Sequence, residues 1–257
     1  MKEPLISVII PAYRCGNYIA RAIDSALSQN VALEVIVIDD CSDDNLEQVM
    51  AAYTGNPAVI YVKNQQNLGA AQSRNRGVAM ARGRYVAFLD GDDCWRDGKL
   101  QKQLTAMERT GAVLCSPARE LMTPEGECTG RVIPVKTEIR YRELLKHNSI
   151  NCSSVVLETA VAREFPMHHE DSHEDYVLWL EILRKYKTAC GINEPLLLYR
   201  LSSTGKSGSK LHSAKMTFRV YRYMGFGWIK SCACFCSYAL HGVYKYWRSR
   251  NGEKHEA

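Results

Sequence analysis

Apolar residues run without a break from Leu5 to Ile10 except at Ser7, and Pro11 stops the run. That is the pattern of a strand buried on both faces. Ile19, Ile23, Ala26 and Leu27 then recur at helical spacing. A second apolar run, Val35 to Ile38, ends abruptly in Asp39-Asp40-Cys41-Ser42-Asp43-Asp44. Leu46, Val49, Met50 and Tyr53 share a helical face, and Val59 to Val62 reads as a third strand. After the polar loop Asn64 to Gly69 comes a helix of small residues, Gly69 to Met80, ended by Gly83. Tyr85 to Leu89 is a fourth strand, and it too ends in acids, Asp90-Gly91-Asp92-Asp93. Asp97 stands where it would cap a helix that turns Leu100, Leu104 and Met107 inward.

Strands alternating with helices predict an α/β fold with a mostly parallel central sheet flanked by helices. Such sheets bind ligands outside the carboxyl ends of their strands. Both acidic runs lie at strand ends, so two distant segments point to one rim. After residue 110 the alternation loosens. Pro124-Glu125-Gly126 predicts a hairpin turn. A helix following His173 would bury Tyr176, Val177, Leu180 and Leu183, and Thr188 to Tyr199 reads as a strand. From Lys210 on, two basic, aromatic helical stretches follow. No internal repeat or low-complexity segment is visible.

The 257 residues are 46% hydrophobic and 24% charged, which excludes disorder as the main state. The net charge of +5 is unevenly spread: Pro195 to Gly252 holds ten Lys or Arg and no Asp or Glu. Phe218, Tyr221, Tyr223, Phe226, Trp228, Tyr238, Tyr244, Tyr246 and Trp247 are interleaved with Lys215, Arg219, Arg222, Lys230 and Arg248. This mixture suits an interfacial helix on anionic lipid, a nucleic acid, or a helical pair packed on the rest of the chain. Its longest charge-free stretch, Ser231 to Tyr244, is shorter than the about 20 residues a membrane span needs. The ten cysteines show no paired framework and no secretory signal is visible, so reduced thiols in a cytosolic setting are expected. Cys232, Cys234 and Cys236 alternate, which puts the three on different sides of a helix and speaks against a compact metal site. His168, His169 and His173 match no zinc spacing and read as surface-loop histidines.

Carboxylates as close as Asp90, Asp92 and Asp93 repel unless a cation joins them. Mg2+ or Mn2+ prefers such ligands and often bridges to a diphosphate. A solvated acidic turn before a helix has the same spacing, and the residues alone leave both readings open. One aspartate of the Asp39-Asp40 pair could likewise cap the helix near Asn45. Glu174 and Asp175 open a helix, where acids also serve only to complement its N-terminus.

Four segments together are more specific. Ser7-Val8-Ile9-Ile10-Pro11-Ala12-Tyr13, Val37-Ile38-Asp39-Asp40-Cys41-Ser42-Asp43, Asn67-Leu68-Gly69-Ala70-Ala71-Gln72-Ser73-Arg74-Asn75-Arg76-Gly77 and Phe88-Leu89-Asp90-Gly91-Asp92-Asp93 occur in that order. They resemble the successive motifs of the family 2 glycosyltransferases, the last being the Asp-X-Asp signature. His173-Glu174-Asp175-Tyr176 resembles the family's Glu-Asp motif. The resemblance covers roughly residues 5 to 200 and is weaker after 110.

By that resemblance the fold is GT-A, with a catalytic domain at 1–205 (a nucleotide-sugar half, 1–110, and an acceptor half, 111–205) and a tail at 206–257. It implies transfer of one hexose or N-acetylhexosamine from a UDP-sugar, with inversion, assisted by Mn2+ or Mg2+. Pro11, Ala12 and Tyr13 would line the uridine pocket, Asp40 would accept a hydrogen bond from uracil, and Asn67 and Arg74 would lie near the base or diphosphate. Asp90 would approach the ribose and metal, and Asp92 would ligate the metal. Asp175 would be the base and Glu174 would help bind the acceptor. Gly91 is expected to permit the tight turn that lets both acids face one ion. The layout is similar to bacterial transferases that build surface-polysaccharide repeat units, O-antigen among them. Their acceptor is often a sugar on undecaprenyl diphosphate, which places the chain on the inner face of the cytoplasmic membrane with the tail on anionic lipid. Neither the Gln-X-X-Arg-Trp motif nor the transmembrane helices of the processive members appear, so one addition per encounter is expected.

An aspartyl-nucleophile phosphatase would need a Thr or Val after its Asp-X-Asp, and Asp93-Cys94-Trp95 does not supply it. A nucleotidyltransferase would carry a glycine-rich basic loop after the first strand, where Tyr13-Arg14-Cys15-Gly16-Asn17 has one Arg and one Gly. A non-catalytic module binding sugar nucleotides or glycans would have no need of Asp175. Nucleic-acid binding rests on the tail alone, and no recognised motif supports it.

Overall fold

The structure is a computed structural model that describes residues 3–201 and 210–252, with the side chains of 3–201 and 211–240. Strands β1 (Ile6–Ala12), β2 (Leu33–Asp39), β3 (Val59–Lys63) and β4 (Tyr85–Phe88) alternate with helices α1 (Ile19–Leu27), α2 (Leu46–Met50) and α3 (Ala70–Met80). They pair in parallel in the order β3-β2-β1-β4, with Val8 opposite Val35 on one side and Ala87 on the other. This is the parallel sheet that the alternation predicts. Along β1, Val8 and Ile10 pack under α1, whereas Ile9 packs under α3. Burial on both faces is why these strands read as unbroken apolar runs, and each such side chain contributes about 1.5–3 kcal/mol.

Beyond β4 the sheet becomes mixed. Short β5 (Cys94–Trp95), α4 (Lys99–Thr110), β6 (Leu114–Met122), β7 (Cys128–Ile133), β8 (Glu138–Arg140), α5 (Tyr141–Leu144), β9 (Val156–Glu158), α6 (Thr159–Glu164), α7 (Glu174–Tyr186) and β10 (Thr188–Arg200) follow. β9 lies antiparallel between β4 and β6, and β10 runs parallel to β6 with a register shift around Pro195. One sheet thus continues from the first half of the chain into the second. The turn Pro124-Glu125-Gly126 joins β6 to β7 as the sequence predicts, with Gly126 at φ 96.

Two expected caps differ. Helix α4 starts after Gly98 in the left-handed region, and Asp97 makes no cap bond. Near Asn45 it is Asp44, rather than Asp39 or Asp40, that accepts from Leu46 N at 3.3 Å, while its other oxygen accepts from Gly16 N at 2.8 Å.

Helix α7 buries more than the side the spacing predicts. Leu178, Trp179 and Ile182 are buried along with Tyr176, Val177, Leu180 and Leu183. The second side is covered by helix α8 (Lys210–Tyr223), whose Met216, Val220 and Tyr221 are buried, and by α9 (Trp228–Gly252), which places Tyr238 6.0 Å from the Tyr176 ring. The tail's first helix therefore packs on the domain. Helix α9 also has an outer face: Ile229, Cys232, Ala233, Cys236 and Leu240 are exposed there. Cys232 and Cys236 do share that face, one turn apart, and Cys234 alone is turned inward. The side chains of Tyr244, Tyr246, Trp247 and Arg248 lie outside the described residues. Among the described residues no helix is long and apolar enough to cross a membrane.

Candidate active site

The carboxyl ends of β1, β2 and β4 bring three loops to one rim. The first two are tied at their backbones: Asp40 N donates to Ala12 O at 2.8 Å, and Arg14 N donates to Ser42 Oγ at 3.1 Å. Arg14 and Cys41 stand at φ 50 and 62, left-handed values that non-glycine residues seldom adopt. Pro11 and Ala12 end β1, with Ala12 buried, and Tyr13 beyond them is 44% exposed.

Asp40 is buried and organises the loop before α3. It accepts from Asn64 Nδ2 at 2.7 Å, Leu68 N at 2.8 Å and Gly69 N at 2.8 Å. Asn67 Nδ2 donates to the Asp40 carbonyl at 3.3 Å. Asp39 is wholly enclosed and accepts from Ser42 N and the Tyr61 hydroxyl. Asp40 and Asn67 thus form one cluster on the β2 side of the rim.

A second cluster gathers the remaining predicted residues. Helix α3 presses close to β1, where a methyl group on Gly77 would meet Ile9 Cγ2 at 2.4 Å, and from that position it projects Arg74. Buried Arg74 Nη2 donates to Asp90 Oδ1 at 2.5 Å, and Nη1 lies 3.5 Å from Glu174 Oε1. One guanidinium so joins the acidic turn after β4 to the start of α7. Asp175 follows Glu174, and burial, then the neighbouring Glu174 charge, push its carboxyl up to about 7 against the opposing pull of Arg74. A carboxylate with that affinity for a proton is matched to general base work near neutral pH.

The acidic turn is held from below. Asp90 N donates to Ser153 Oγ at 3.1 Å, and Trp95 Nε1 donates to Ser153 O at 2.7 Å. Burial, then the charge of Asp90, raises the Asp92 carboxyl to about 6. Burial pushes Asp93 well above the usual carboxylate range, with the charges of Asp92 and Asp90 adding to it, and its Oδ2 is buried without a hydrogen-bond partner. Gly91 is needed for a reason the sequence did not show. Its φ is not left-handed; instead an added methyl group would strike Cys15 Sγ at 2.6 Å and Ile19 Cδ1 at 3.2 Å.

Among the described residues no group of three or more His, Cys, Asp or Glu side chains is arranged to hold a metal ion alone. Asp90 and Asp92 offer hard oxygen donors, and their mutual repulsion is what a cation relieves. A pair of carboxylates completed by diphosphate oxygens is a donor set that fits Mg2+ or Mn2+.

Two arginines of this rim carry no motif. Arg200, at the end of β10, donates from Nε to Asp92 O at 2.8 Å and from Nη1 to Pro124 O at 2.6 Å, and its backbone N donates to Asp93 Oδ1 at 2.8 Å. It locks the acidic turn to the β6–β7 hairpin. Arg119, on β6, stands over the Tyr199 ring, 5.8 Å from its centre. Position at strand ends beside the same rim was the signal available for the first; for the second, a lone cation within an apolar stretch. In the loop before α7, His168 and His169 are exposed and His169 stacks on Tyr223 at 3.7 Å, whereas Glu170 reaches the start of α3 and accepts from Gln72 N at 3.3 Å.

The chain shares its fold with solved structures. S. aureus TarS 1-349 in complex with UDP-GlcNAc superposes with a TM-score of 0.69 at 16% identity, over 91% of this chain and 71% of that one. The mannosyltransferase PcManGT from Pyrobaculum calidifontis, in complex with GDP-Man and Mn2+, gives 0.66 at 16% identity, over 88% and 66%. Among curated proteins, TuaG of Bacillus subtilis (strain 168), named for teichuronic acid biosynthesis, is 35% identical over 95% of this chain and 98% of its own. The Escherichia coli UDP-Glc:alpha-D-GlcNAc-diphosphoundecaprenol beta-1,3-glucosyltransferase WfaP is 33% identical over 94% and 95%. Residues 7–157 match the model named Glycosyl transferase family 2, and with the fold and these relatives in agreement the chain belongs to that family.

Proposed function

We propose that the protein transfers a single hexose or N-acetylhexosamine from a UDP-sugar, with inversion, to a saccharide carried on undecaprenyl diphosphate. It would act in bacterial surface-polysaccharide synthesis, on the inner face of the cytoplasmic membrane. The observation that carries the reading is the Arg74 bridge. It sets the Asp90 turn beside Glu174 and Asp175, so a donor diphosphate and an acceptor hydroxyl would meet at one point of the rim.

Pro11, Ala12 and Tyr13, with the loop that Asp40 and Asn67 organise, would hold the uridine. Asp40 keeps little capacity beyond its three loop bonds, so a uracil N–H would take its last open lone pair. Asp90 and Asp92 would hold Mn2+ or Mg2+. That ion, when bound, offsets charge on the leaving nucleoside diphosphate. Asp175 would take the proton of the attacking hydroxyl while the anomeric carbon passes from the diphosphate oxygen to the acceptor oxygen. Glu174, held by Arg74, would bind the acceptor and keep the Asp175 carboxyl basic.

WfaP and WfgD, the latter 32% identical over 86% of this chain and 86% of its own, are both named for an alpha-D-GlcNAc-diphosphoundecaprenol acceptor, and TuaG for a surface polymer. They support the acceptor class. The exposed stripe of α9 beside Lys230 supports contact with an anionic membrane surface. The two halves of the catalytic region would divide the work, 1–110 holding the donor and 111–205 the acceptor. A panel of UDP-, GDP- and dTDP-sugars with Mn2+, with and without EDTA, tests the proposal against a synthetic lipid-diphosphate sugar. Metal-dependent release of UDP with a new glycosidic bond is the expected result, and turnover unaffected by EDTA would remove the metal from it.

A further inference from the structure

Arg119 lies near the site yet makes no hydrogen bond and no ion pair among the described residues. The other two arginines of the rim, Arg74 and Arg200, each donate to protein oxygens. Burial weakens the Arg119 guanidinium's hold on its proton, against the partial support of Tyr199, Asp93 and Asp175. Arg119 is only partly buried, so its guanidinium stays open at the site while no protein oxygen among the described residues takes its N–H donors, and a ligand's anion can take them instead.

The carboxylates around it cannot be that acceptor. Asp93 makes no ion pair with Arg119, and its Oδ1 already accepts from Arg200 N. Asp175 lies within electrostatic reach but outside ion-pair contact, and as the base it must stay free for the acceptor hydroxyl. The group to be held is therefore an anion brought by a ligand.

Its position selects which ligand. Arg119 is registered with Leu197 of β10, in the half of the sheet away from β1 and β2, where the uridine loops stand. Tyr238 also lies within its electrostatic reach, on α9, the helix whose opposite face carries the exposed apolar stripe. A sugar whose hydroxyl reaches Asp175 extends across one pyranose ring, and in a glycosyl diphosphate the far side of that ring is a phosphate. We propose that Arg119 anchors the diphosphate of a lipid-linked acceptor, between the Tyr199 ring and Tyr238. This rests on the lipid-diphosphate acceptor proposed above.

Calorimetry on the full chain saturated with UDP and Mn2+ tests it, with geranyl diphosphate as the probe and geraniol as its uncharged counterpart. The wild type should bind the diphosphate at one site per chain and the alcohol far more weakly. Arg119→Gln should weaken the diphosphate roughly tenfold or more, as loss of a charged hydrogen bond does. Arg119→Lys, which keeps the charge but not the fork, should fall between. UDP affinity should stay within about twofold in both variants, which also shows that they are folded. Equal diphosphate binding in all three proteins, or a loss that falls on UDP instead, overturns the role of Arg119. A wild type that binds the diphosphate no better than the alcohol overturns the acceptor class itself.

Discussion

Arg74 Nη2 meets Asp90 Oδ1 at 2.5 Å inside the protein, and this pair joins the helix after β3 to the acidic turn after β4. Arg74 is nearly enclosed, with 7% of its side chain exposed, and it also faces Glu174. Replacing it with Met would leave two carboxylates without their cation. The expected cost is about 3–5 kcal/mol in urea unfolding, together with loss of transfer. Arg74→Lys should recover part of the stability but not the two-pronged geometry. An Arg74→Met variant as stable as the wild type would show that Asp90 and Glu174 do not depend on it.

Asp175 at about 7 fixes the expected pH profile. A base works only when ionised, so kcat/KM should rise with pH, about tenfold per unit, and level off above about 7. Glu174 is the main charge that raises it after burial, so Glu174→Gln should move the rise to lower pH. Asp175→Asn should abolish the rise and cut turnover about a hundred- to ten-thousandfold while UDP still binds. Retained turnover in that variant would remove Asp175 as the base.

How much of this could be read in the sequence follows from what each signal depends on. β1, β2 and β4 are buried on both faces and therefore appear as apolar runs, and the acids that end β2 and β4 mark the rim directly. β5, with two residues, and β8 and β9, with three each, are too short for any periodicity. Their existence depends on neighbours far along the chain. The clustering of Arg74 with Glu174 spans 100 positions; the family resemblance named each as a site residue but not their pairing, since nothing local in either segment refers to the other. Gly91 stands out in the sequence between two acids, but the reason for it, the Cys15 sulfur, is a packing fact invisible to spacing.

That packing gives a paired test. A methyl group at residue 91 would lie 2.6 Å from Cys15 Sγ, so Gly91→Ala should displace the acidic turn. Overpacking of this kind costs about 1–3 kcal/mol, and the rate should fall with it. Cys15→Ala removes the sulfur and should restore much of both in the double variant, leaving Ile19 Cδ1 to yield a few tenths of an ångström. Strictly additive losses would mean that the two residues do not press on each other.

The raised carboxyls also set how stability responds to pH and metal. Asp92 and Asp175 stand at about 6 and about 7, above the roughly 3.9 of an unfolded aspartate. Between those limits the folded chain keeps protons that the unfolded chain has released. Without metal, stability should therefore fall as pH rises from about 4 to about 7 and level off above that. A cation bound to Asp90 and Asp92 favours their ionised forms, so the gain in Tm from Mn2+ should be larger at about pH 8 than at about pH 5. The same gain at both values would mean that these carboxylates are not the ligands.

The two tail helices should separate by function. Val220 and Tyr221 of α8 are wholly buried against the domain, and Tyr221 donates to Leu145 O at 2.8 Å. Truncating Tyr221 to Ala should cost about 3–5 kcal/mol, the range for a large buried aromatic, and leave any lipid binding unchanged in the folded fraction. Ile229 is 90% and Leu240 69% exposed on the outer face of α9, so Ile229→Ser with Leu240→Ser removes little packing and should leave Tm nearly unchanged. If that face lies on lipid, the same pair should lose flotation with vesicles containing anionic lipid, and transfer to a membrane-embedded acceptor should fall while transfer to a water-soluble one persists. Flotation equal to the wild type would leave the stripe without a role at the membrane. A lower rate on the soluble acceptor would instead place its effect at the Tyr238 side of the active site.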